Sequence, residues 1–151
     1  MPYLLDTNIL VRILQRTDPQ YYAIRTALRT LRARGERLCF TAQNLMEFWR
    51  VCTRPVDVNG FGLTIAETDR RARVIERFYT FLPDIQTIFT EWRQLVVTHA
   101  VLGAQVHDAR LVAVMQVYGI THLLTLNVSD FVRYPGITAV HPQHILPQSI
   151  P

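Results

Sequence analysis

The sequence predicts an α/β fold with a central parallel sheet. Short apolar runs alternate with longer segments in which apolar residues recur at helical spacing, as expected when strands and helices alternate along a chain. The chain has 151 residues, 49% of them hydrophobic and 19% charged, which is a globular composition large enough for a core. We find no internal repeat and no linker-like segment, so we expect one domain over residues 1–151.

Each predicted strand is a short apolar run with turn-forming or polar residues at its ends. Strands are predicted over 2–5, 38–40, 121–125 and 137–140, and 81–83 is either a strand or a turn. Each predicted helix has one apolar face and start or stop signals. Helices are predicted over 7–15, 20–34, 43–53, 64–79, 84–99 and 107–118, and the proline-containing tail from about 141 is predicted to be irregular.

Local signals mark several of these helix ends. Asp18 followed by Pro19 predicts the cap and first turn of the second helix, and Gly35 is expected to end it. Thr64 and Glu67 have the spacing of a capping box at the start of the fourth helix.

The basic residues are all arginine, and the net charge is +4. They cluster on two predicted helices, as Arg25, Arg29 and Arg32 on the second and Arg70, Arg71, Arg73 and Arg77 on the fourth. Such rows are either solvated faces or surfaces that attract phosphate, and the sequence leaves both interpretations open.

The compartment is predicted from three features. No apolar run reaches the ~20 residues that cross a bilayer, and no basic segment precedes an apolar one as in a secretory signal. Cys39 and Cys52 are expected to be reduced, buried thiols rather than a disulfide. We therefore expect a cytoplasmic protein without a membrane partner.

Four acidic residues stand in apolar surroundings near the ends of elements. Asp6 ends the first strand, Glu47 lies on the third helix, Asp108 is in the first turn of the sixth helix, and Asp130 follows an apolar strand. Each also has an ordinary explanation: a cap for Asp6, a dipole-complementing position for Asp108, and a turn residue for Asp130.

Glu47 likewise could pair with Arg50 or Arg54 on its own helix. Taken together, however, the four acids point to one site, because the carboxyl ends of parallel strands are where α/β proteins bind ligands. Clustered carboxylates repel one another, and a hard divalent cation such as Mg²⁺ or Mn²⁺ removes that conflict. Such ions activate water and stabilise the leaving oxygen in phosphodiester hydrolysis. The sequence thus predicts hydrolysis by metal-activated water, without a covalent intermediate.

The segments around these acids resemble the PIN-domain ribonucleases, and among them the VapC-type toxins of bacterial toxin–antitoxin pairs. The resemblance extends from Tyr3 to Val140 and is carried by Leu4–Leu10, Asn44–Trp49, His107–Ala109 and Leu124–Phe131. It implies a PIN-like three-layer sandwich in which a parallel sheet of four to five strands is flanked by helices. It also implies a Mg²⁺- or Mn²⁺-dependent endoribonuclease.

The resemblance assigns the site residues by position. It places Asp6, Glu47, Asp108 and Asp130 as catalytic and metal-binding acids. Some relatives have an acid where Asn127 stands, so either Asn127 or Asp130 is the fourth residue of the metal site. Two further polar residues are candidates to orient these groups, Asn8 and Thr125.

The resemblance also implies partners. These are an RNA substrate, a small antitoxin that places a basic side chain in the acidic pocket, and a second copy in a homodimer. The apolar faces of the second and fourth helices are the predicted dimer contact. Two alternatives remain open from the sequence: a PIN nuclease of RNA processing, and a non-catalytic RNA- or partner-binding module.

The residues also bear on two further chemistries. A phosphohydrolase with an aspartyl nucleophile is disfavoured, because no second acid stands two residues after Asp6. His107, next to Asp108, either acts on the substrate or leaving group or is an ordinary histidine.

Overall fold

A parallel sheet forms the middle layer of the computed structural model, which describes residues 1–147. Its strands are β1 (Pro2–Leu5), β2 (Arg37–Thr41), β3 (Thr80–Leu82), β4 (His122–Leu124) and β5 (Thr138–Val140). They form one five-stranded sheet in the order β3-β2-β1-β4-β5, and every pair is parallel. The predicted α/β class with a central parallel sheet is confirmed. Of the segment at 81–83, Phe81 and Leu82 belong to strand β3 and Pro83 follows it.

Six α-helices over residues 1–147 flank this sheet. They are α1 (Thr7–Arg12), α2 (Tyr21–Ala33), α3 (Ala42–Thr53), α4 (Ile65–Phe78), α5 (Gln86–Thr98) and α6 (Gln105–Tyr118). Short 3-10 turns cover Val56–Val58, Val128–Phe131 and Pro142–His144. Helices α1–α4 pack against one face of the sheet and α5–α6 against the other, as a three-layer sandwich requires.

The central strand β1 divides the core between the two layers. Its side chains alternate, so that Leu5 packs with Ile9 and Phe48 on one face while Leu4 packs with Leu111 on the other. A parallel strand with helices on both faces is apolar at successive positions, which explains the run that precedes Asp6. Because β1 is held on both faces and between β2 and β4, the residue that follows it has a well-defined position.

The start of α2 differs from the prediction. The helix begins at Tyr21 after Gln20, and Asp18 does not cap it. Asp18 instead accepts a hydrogen bond from the Gln20 backbone at 2.8 Å and pairs with Arg12 at 2.5 Å. Helix α1 correspondingly ends at Arg12, three residues before the predicted end at 15, and the chain turns there to reach α2.

The capping box predicted for α4 is only half formed. The Thr64 hydroxyl accepts a hydrogen bond from the Glu67 backbone at 3.1 Å, as expected. The Glu67 side chain pairs with Arg70 and Arg71 instead of returning to the cap. Since Arg73 also pairs with Asp69, much of the arginine row on α4 is balanced by acids of the same helix.

The inward-facing residues of α2 and α4 cannot form the predicted dimer contact, because Ile24, Leu31 and Ile75 are fully buried in the core. Helical periodicity marks a buried face without showing what covers it. A dimer contact on these helices stays a prediction, and it would have to use their exposed side chains. The large apolar side chains that these helices expose include Tyr22 and Phe78.

Both cysteines are buried free thiols, as predicted. Burial raises the pKa of Cys39, and it raises the pKa of Cys52 to about 11. Within residues 1–147, no helix combines the length and the apolar character needed to cross a membrane.

The tail is more ordered than the irregular chain predicted from about 141. Pro142–His144 forms a 3-10 turn, and Ile145 is buried in the core layer that contains α2. The Arg34 guanidinium donates to the Leu146 carbonyl at 2.6 Å, which ties the tail to the end of α2. The final proline of the predicted tail, Pro151, lies outside the described residues.

This packing predicts that the tail stabilises the fold. Ile145→Ala removes a side chain that is 6% exposed, and we expect the free energy of unfolding to fall by about 2–3 kcal/mol. The matched control is Leu146→Ala, because Leu146 is 66% exposed and its loss should change stability by no more than about 0.5 kcal/mol. Urea unfolding of the full chain, followed by circular dichroism, measures both, and equal effects would contradict the packed tail.

Candidate functional site

A cleft at the carboxyl edge of the sheet brings together acids from three elements. Asp6 directly follows β1, Glu47 lies on α3, and Asp108 lies in the first turn of α6. All three line one cleft of about 520 Å³, and Asn127 lines it as well. The structure therefore places three of the four predicted acids together, although Asp6 and Asp108 are 102 positions apart in the sequence.

Asp130 lies next to this cleft rather than in its lining. It is exposed in the first turn of the 3-10 segment Val128–Phe131, and its backbone NH donates to the Asn127 carbonyl at 3.1 Å. Its charge nevertheless acts on the site, because it raises the pKa of both Asp6 and Asp108. Of the two candidates for the fourth position, Asn127 is the one that lines the cleft and Asp130 is the one that carries charge.

Asp6 is buried and held through both carboxylate oxygens. Oδ1 accepts from the Thr7 backbone NH at 2.7 Å, which is the predicted cap of α1. Oδ2 accepts from the Thr125 hydroxyl at 2.7 Å and from the Asn8 amide at 3.4 Å. The capping explanation and the site explanation are thus compatible, because capping uses only one of the two oxygens.

Thr125 and Asn8, the two residues predicted to orient the acids, both donate hydrogen bonds to Asp6. The fully buried Thr125 hydroxyl donates to Asp6 and accepts from the Asn127 backbone NH at 3.0 Å. The Asn8 carbonyl oxygen accepts from the Leu126 backbone NH at 3.4 Å. These bonds join the segment that follows β4 to the carboxylate that follows β1, so that Asn127 is held beside Asp6.

Glu47 is held by neutral donors. The Thr7 hydroxyl donates to Oε2 at 2.6 Å, and the Gln43 amide donates to Oε1 at 2.9 Å. Over residues 1–147, neither Arg50 nor Arg54 forms an ion pair with Glu47, so the ordinary explanation for this acid is not found in the structure.

A capping box at the start of α3 supports this arrangement. The buried Thr41 hydroxyl accepts from the Asn44 backbone at 3.1 Å, and the Asn44 carbonyl oxygen accepts from the Thr41 backbone at 2.9 Å. The Asn44 amide also donates to the Thr7 hydroxyl oxygen at 3.1 Å. Because that oxygen accepts from Asn44, the hydroxyl hydrogen of Thr7 is free to be donated to Glu47. The Thr41–Asn44 pair thus sets both the helix start and the direction of the Thr7 donor.

Sequence reasoning did not single out Thr7, Gln43 or Asn44. Usable signals existed for two of them. Gln43 stands four residues before Glu47 and so lies on the same helix face, and Asn44 stands three residues after Thr41, the spacing of a helix cap. The pairing of Thr7 with Glu47 crosses 40 positions and has no local signal.

The carboxylates of the cleft disturb one another. Burial, together with the charges of Asp6, Asp130 and Glu47, raises the pKa of Asp108 to about 7. Burial also raises the pKa of Asp6, against the lowering effect of the Thr125 and Thr7 hydrogen bonds. The neutral donors that orient these acids therefore do not remove the electrostatic conflict between them.

The donor set suits a hard divalent cation. Carboxylate oxygens and the Asn127 amide are oxygen ligands of the type that Mg²⁺ and Mn²⁺ prefer, and a cation would stabilise the ionised forms that burial disfavours. Among residues 1–147, no group of three or more His, Cys, Asp and Glu side chains is arranged closely enough to hold an ion.

His107 and Arg110, the neighbours of Asp108, have structural contacts outside the cleft. The His107 side chain is exposed, while its carbonyl accepts from the Gln43 amide at 2.8 Å. Arg110 pairs with Asp84 at 2.9 Å. Neither side chain lines the cleft, and no contact supports a role for His107 on a substrate or leaving group.

The comparisons with known proteins concern both sequence and structure. The sequence profile of the PIN domain family matches residues 3–137. A search of curated proteins by sequence finds no match.

Several solved structures share the fold. A chain of the VapBC2 structure from Rickettsia felis, bound to a DNA fragment from its promoter, superposes with a TM-score of 0.72 at 16% identity and covers 93% of this chain and 98% of its own. A chain of a toxin–antitoxin complex from Klebsiella pneumoniae has a TM-score of 0.63 at 22% identity, and the match covers 93% of this chain and 97% of that one. VapC20 of Mycobacterium tuberculosis, described as a sarcin–ricin loop cleaving toxin, has a TM-score of 0.60 at 15% identity, with 80% and 86% covered.

The raised pKa of Asp108 predicts how stability depends on pH in metal-free protein. An unfolded chain releases the Asp proton near pH ~3.9, whereas the folded protein keeps it up to about pH 7. Between these two pH values the folded state binds more protons than the unfolded state. The contribution of Asp108 to the free energy of unfolding therefore falls as the pH rises. The Asp108→Asn variant lacks this ionisable group and so lacks this pH-dependent loss of stability. In the presence of chelator, we expect its thermal midpoint to be higher than that of wild type at about pH 8. At about pH 4 we expect the two midpoints to differ little.

Asp69→Asn is the matched control, because Asp69 is 47% exposed and paired with Arg73 away from the cleft. We expect this variant to keep the wild-type dependence of the thermal midpoint on pH. If Asp108→Asn also keeps it, then Asp108 is not the group that holds the proton.

Proposed function

The chain belongs to the PIN domain family, and from that membership and the acidic cleft we propose that it is a metal-dependent endoribonuclease that hydrolyses RNA phosphodiester bonds. The observation that carries the proposal is the convergence of Asp6, Glu47 and Asp108 on one cleft, where the pKa of Asp108 is raised to about 7. A purely structural role would not require three elements to bring carboxylates so close together that their charges repel one another.

The proposed ligands are Asp6, Glu47 and Asp108, with Asp130 or Asn127 in the fourth position. A bound Mg²⁺ or Mn²⁺ would supply a lowered pKa for water and charge neutralisation at the phosphate. The protein's own contribution is orientation. Thr125 fixes one oxygen of Asp6, and Thr7 fixes one oxygen of Glu47, so that both carboxylates keep their direction as RNA enters.

The positive charge around the cleft supports RNA as the substrate. Arg12, Arg50 and Arg54 line the same cleft as the acids, and the chain carries a net charge of +4. Arg50 is exposed and stands one helical turn after Glu47, which suits contact with a phosphate adjacent to the site of cleavage. Acids at the centre and arginines at the rim would let the cleft bind an ion and a phosphodiester together.

We further propose that this nuclease is the toxin of a toxin–antitoxin pair. The Klebsiella pneumoniae neighbour is a toxin–antitoxin complex, and the Mycobacterium tuberculosis neighbour is described as a sarcin–ricin loop cleaving toxin. The partner would be a small antitoxin that places a basic side chain among the acids of the cleft. We also propose that the protein acts in the cytoplasm and as a homodimer, with a contact other than the buried faces of α2 and α4.

The proposal predicts that cleavage depends on the metal and on the acids. Changes in groups around a metal's ligands already cost about 10- to 100-fold in affinity or activity. Asp6→Asn and Asp108→Asn should therefore lower the cleavage rate by about 100-fold or more, and chelator should abolish wild-type cleavage. The measurement is the rate of cleavage of a fluorescently labelled RNA with Mg²⁺ or Mn²⁺, compared with chelator.

Asp69→Asn serves again as the control and should cleave at the wild-type rate, since Asp69 lies outside the cleft. Full metal-dependent cleavage by Asp6→Asn or Asp108→Asn would show that the site is assigned wrongly. Sequencing the RNA ends formed after controlled expression, with Asp6→Asn as the background, would then identify the RNA that is cut.

A further inference from the structure

Gln43 lies behind Glu47, outside the cleft lining, and joins α3 to α6. Its side-chain amide donates to Oε1 of Glu47 at 2.9 Å and to the His107 carbonyl at 2.8 Å. Its carbonyl oxygen accepts from the Arg110 guanidinium at 3.3 Å. Gln43 is 6% exposed, so these bonds replace the hydration that its buried amide has lost.

The side chain required at this position is chemically specific. The two partners of the amide nitrogen, a carboxylate and a backbone carbonyl, are both acceptors, and an amide nitrogen has two hydrogens to donate. A glutamate at position 43 would direct an acceptor at two acceptors, and an apolar side chain would remove the donor that the Glu47 carboxylate and the His107 carbonyl share. Gln43 therefore satisfies groups of two helices at once.

The network continues to the far side of the sheet. Arg110 of α6 is held by Asp84, which precedes α5, with an oxygen–nitrogen distance of 2.9 Å. The ion pair fixes the guanidinium that donates to Gln43. A chain of contacts thus runs from Asp84 through Arg110 and Gln43 to Glu47.

The two helices have no common core layer that would set their spacing. The buried residues of α3, such as Phe48, belong to the cluster on one face of the sheet, whereas Leu111 and its neighbours in α6 belong to the cluster on the other. Glu47 and Asp108 are therefore brought together from opposite layers. The Gln43 amide bonds Glu47 directly and bonds the carbonyl of the residue that precedes Asp108.

We propose that Gln43 is a positioning residue that sets the separation and direction of Glu47 relative to Asp108 for divalent-ion binding. The inference rests on the proposed function of the cleft. Gln43 acts through Glu47 and does not contact the substrate, so its removal should weaken ion binding and turnover while leaving RNA binding largely intact.

The test is Gln43→Met in the full chain, because methionine has a similar length and cannot donate. We expect the Kd for Mn²⁺, measured by calorimetry without RNA, to rise about 10-fold. The rate constant kcat for RNA cleavage should fall about 10-fold or more, while KM changes less than about twofold. Gln116→Met is the matched control, since Gln116 is exposed on α6 and lies outside the cleft, and it should match wild type in all three quantities.

Two further variants separate a positioning role from a purely structural one. If Gln43 acts through Glu47, adding Gln43→Met to Glu47→Gln should produce no further rise in the Kd for Mn²⁺. Arg110→Gln weakens the same network from the α6 side and should raise that Kd about two- to threefold. Should Gln43→Met fail to fold, Arg110→Gln carries the test, and an unchanged Kd in that variant overturns the proposal.

The failure of this inference can be distinguished from failure of the proposed function. If Glu47→Gln binds Mn²⁺ and cleaves RNA like wild type, the site assignment itself fails. If Glu47→Gln loses both while Gln43→Met keeps the wild-type Kd and kcat, only the role given to Gln43 is wrong. An additive rise in Kd in the double variant also contradicts it, because Gln43 would then act independently of Glu47.

Discussion

Burial of Asp6 at the carboxyl end of β1 is the interaction that constrains the whole cleft. A carboxylate in a buried position is costly unless hydrogen bonds or a cation stabilise its charge. The Thr7 backbone and the Thr125 hydroxyl provide part of that stabilisation, and they come from the elements on either side of it in space. The pKa of Asp6 nevertheless remains raised, because burial outweighs the stabilisation that these hydrogen bonds give to the ionised carboxylate.

Neutral hydrogen-bond donors orient the acids of the cleft without neutralising their charge. Each bond to Asp6 and Glu47 comes from a neutral donor, either a hydroxyl, an amide or a backbone NH. An arginine bound directly to either acid would fill the place of a cation and lower the demand for one. The arginines that line the cleft form no ion pair with Asp6 or Glu47 over residues 1–147. Under the proposed function they would attract phosphate while the acids bind a metal ion.

Predictions from the sequence succeeded where a local pattern reports a local cause. Apolar runs identified the strands, because a strand covered on both faces must be apolar at successive positions. Predictions were less accurate at element ends and for long-range packing. Asp18 has the sequence of a cap but pairs with Arg12, and Ile145 lies in a proline-containing tail but packs into the core. In both cases a tertiary contact overrides the local preference.

By itself, the sequence determined the α/β class and the order of strands and helices, because these follow from hydrophobic periodicity. It also singled out three acids that line one cleft, Asp6, Glu47 and Asp108, because they are carboxylates in apolar surroundings. Only the tertiary structure decided what holds those acids. Thr7 reaches Glu47 across 40 positions, and Gln43 reaches the His107 carbonyl across 64. Hydrogen bonds of this kind depend on how layers pack across the sheet, and no spacing along the chain encodes them. The same packing placed Asn127 in the cleft wall and left Asp130 exposed beside it.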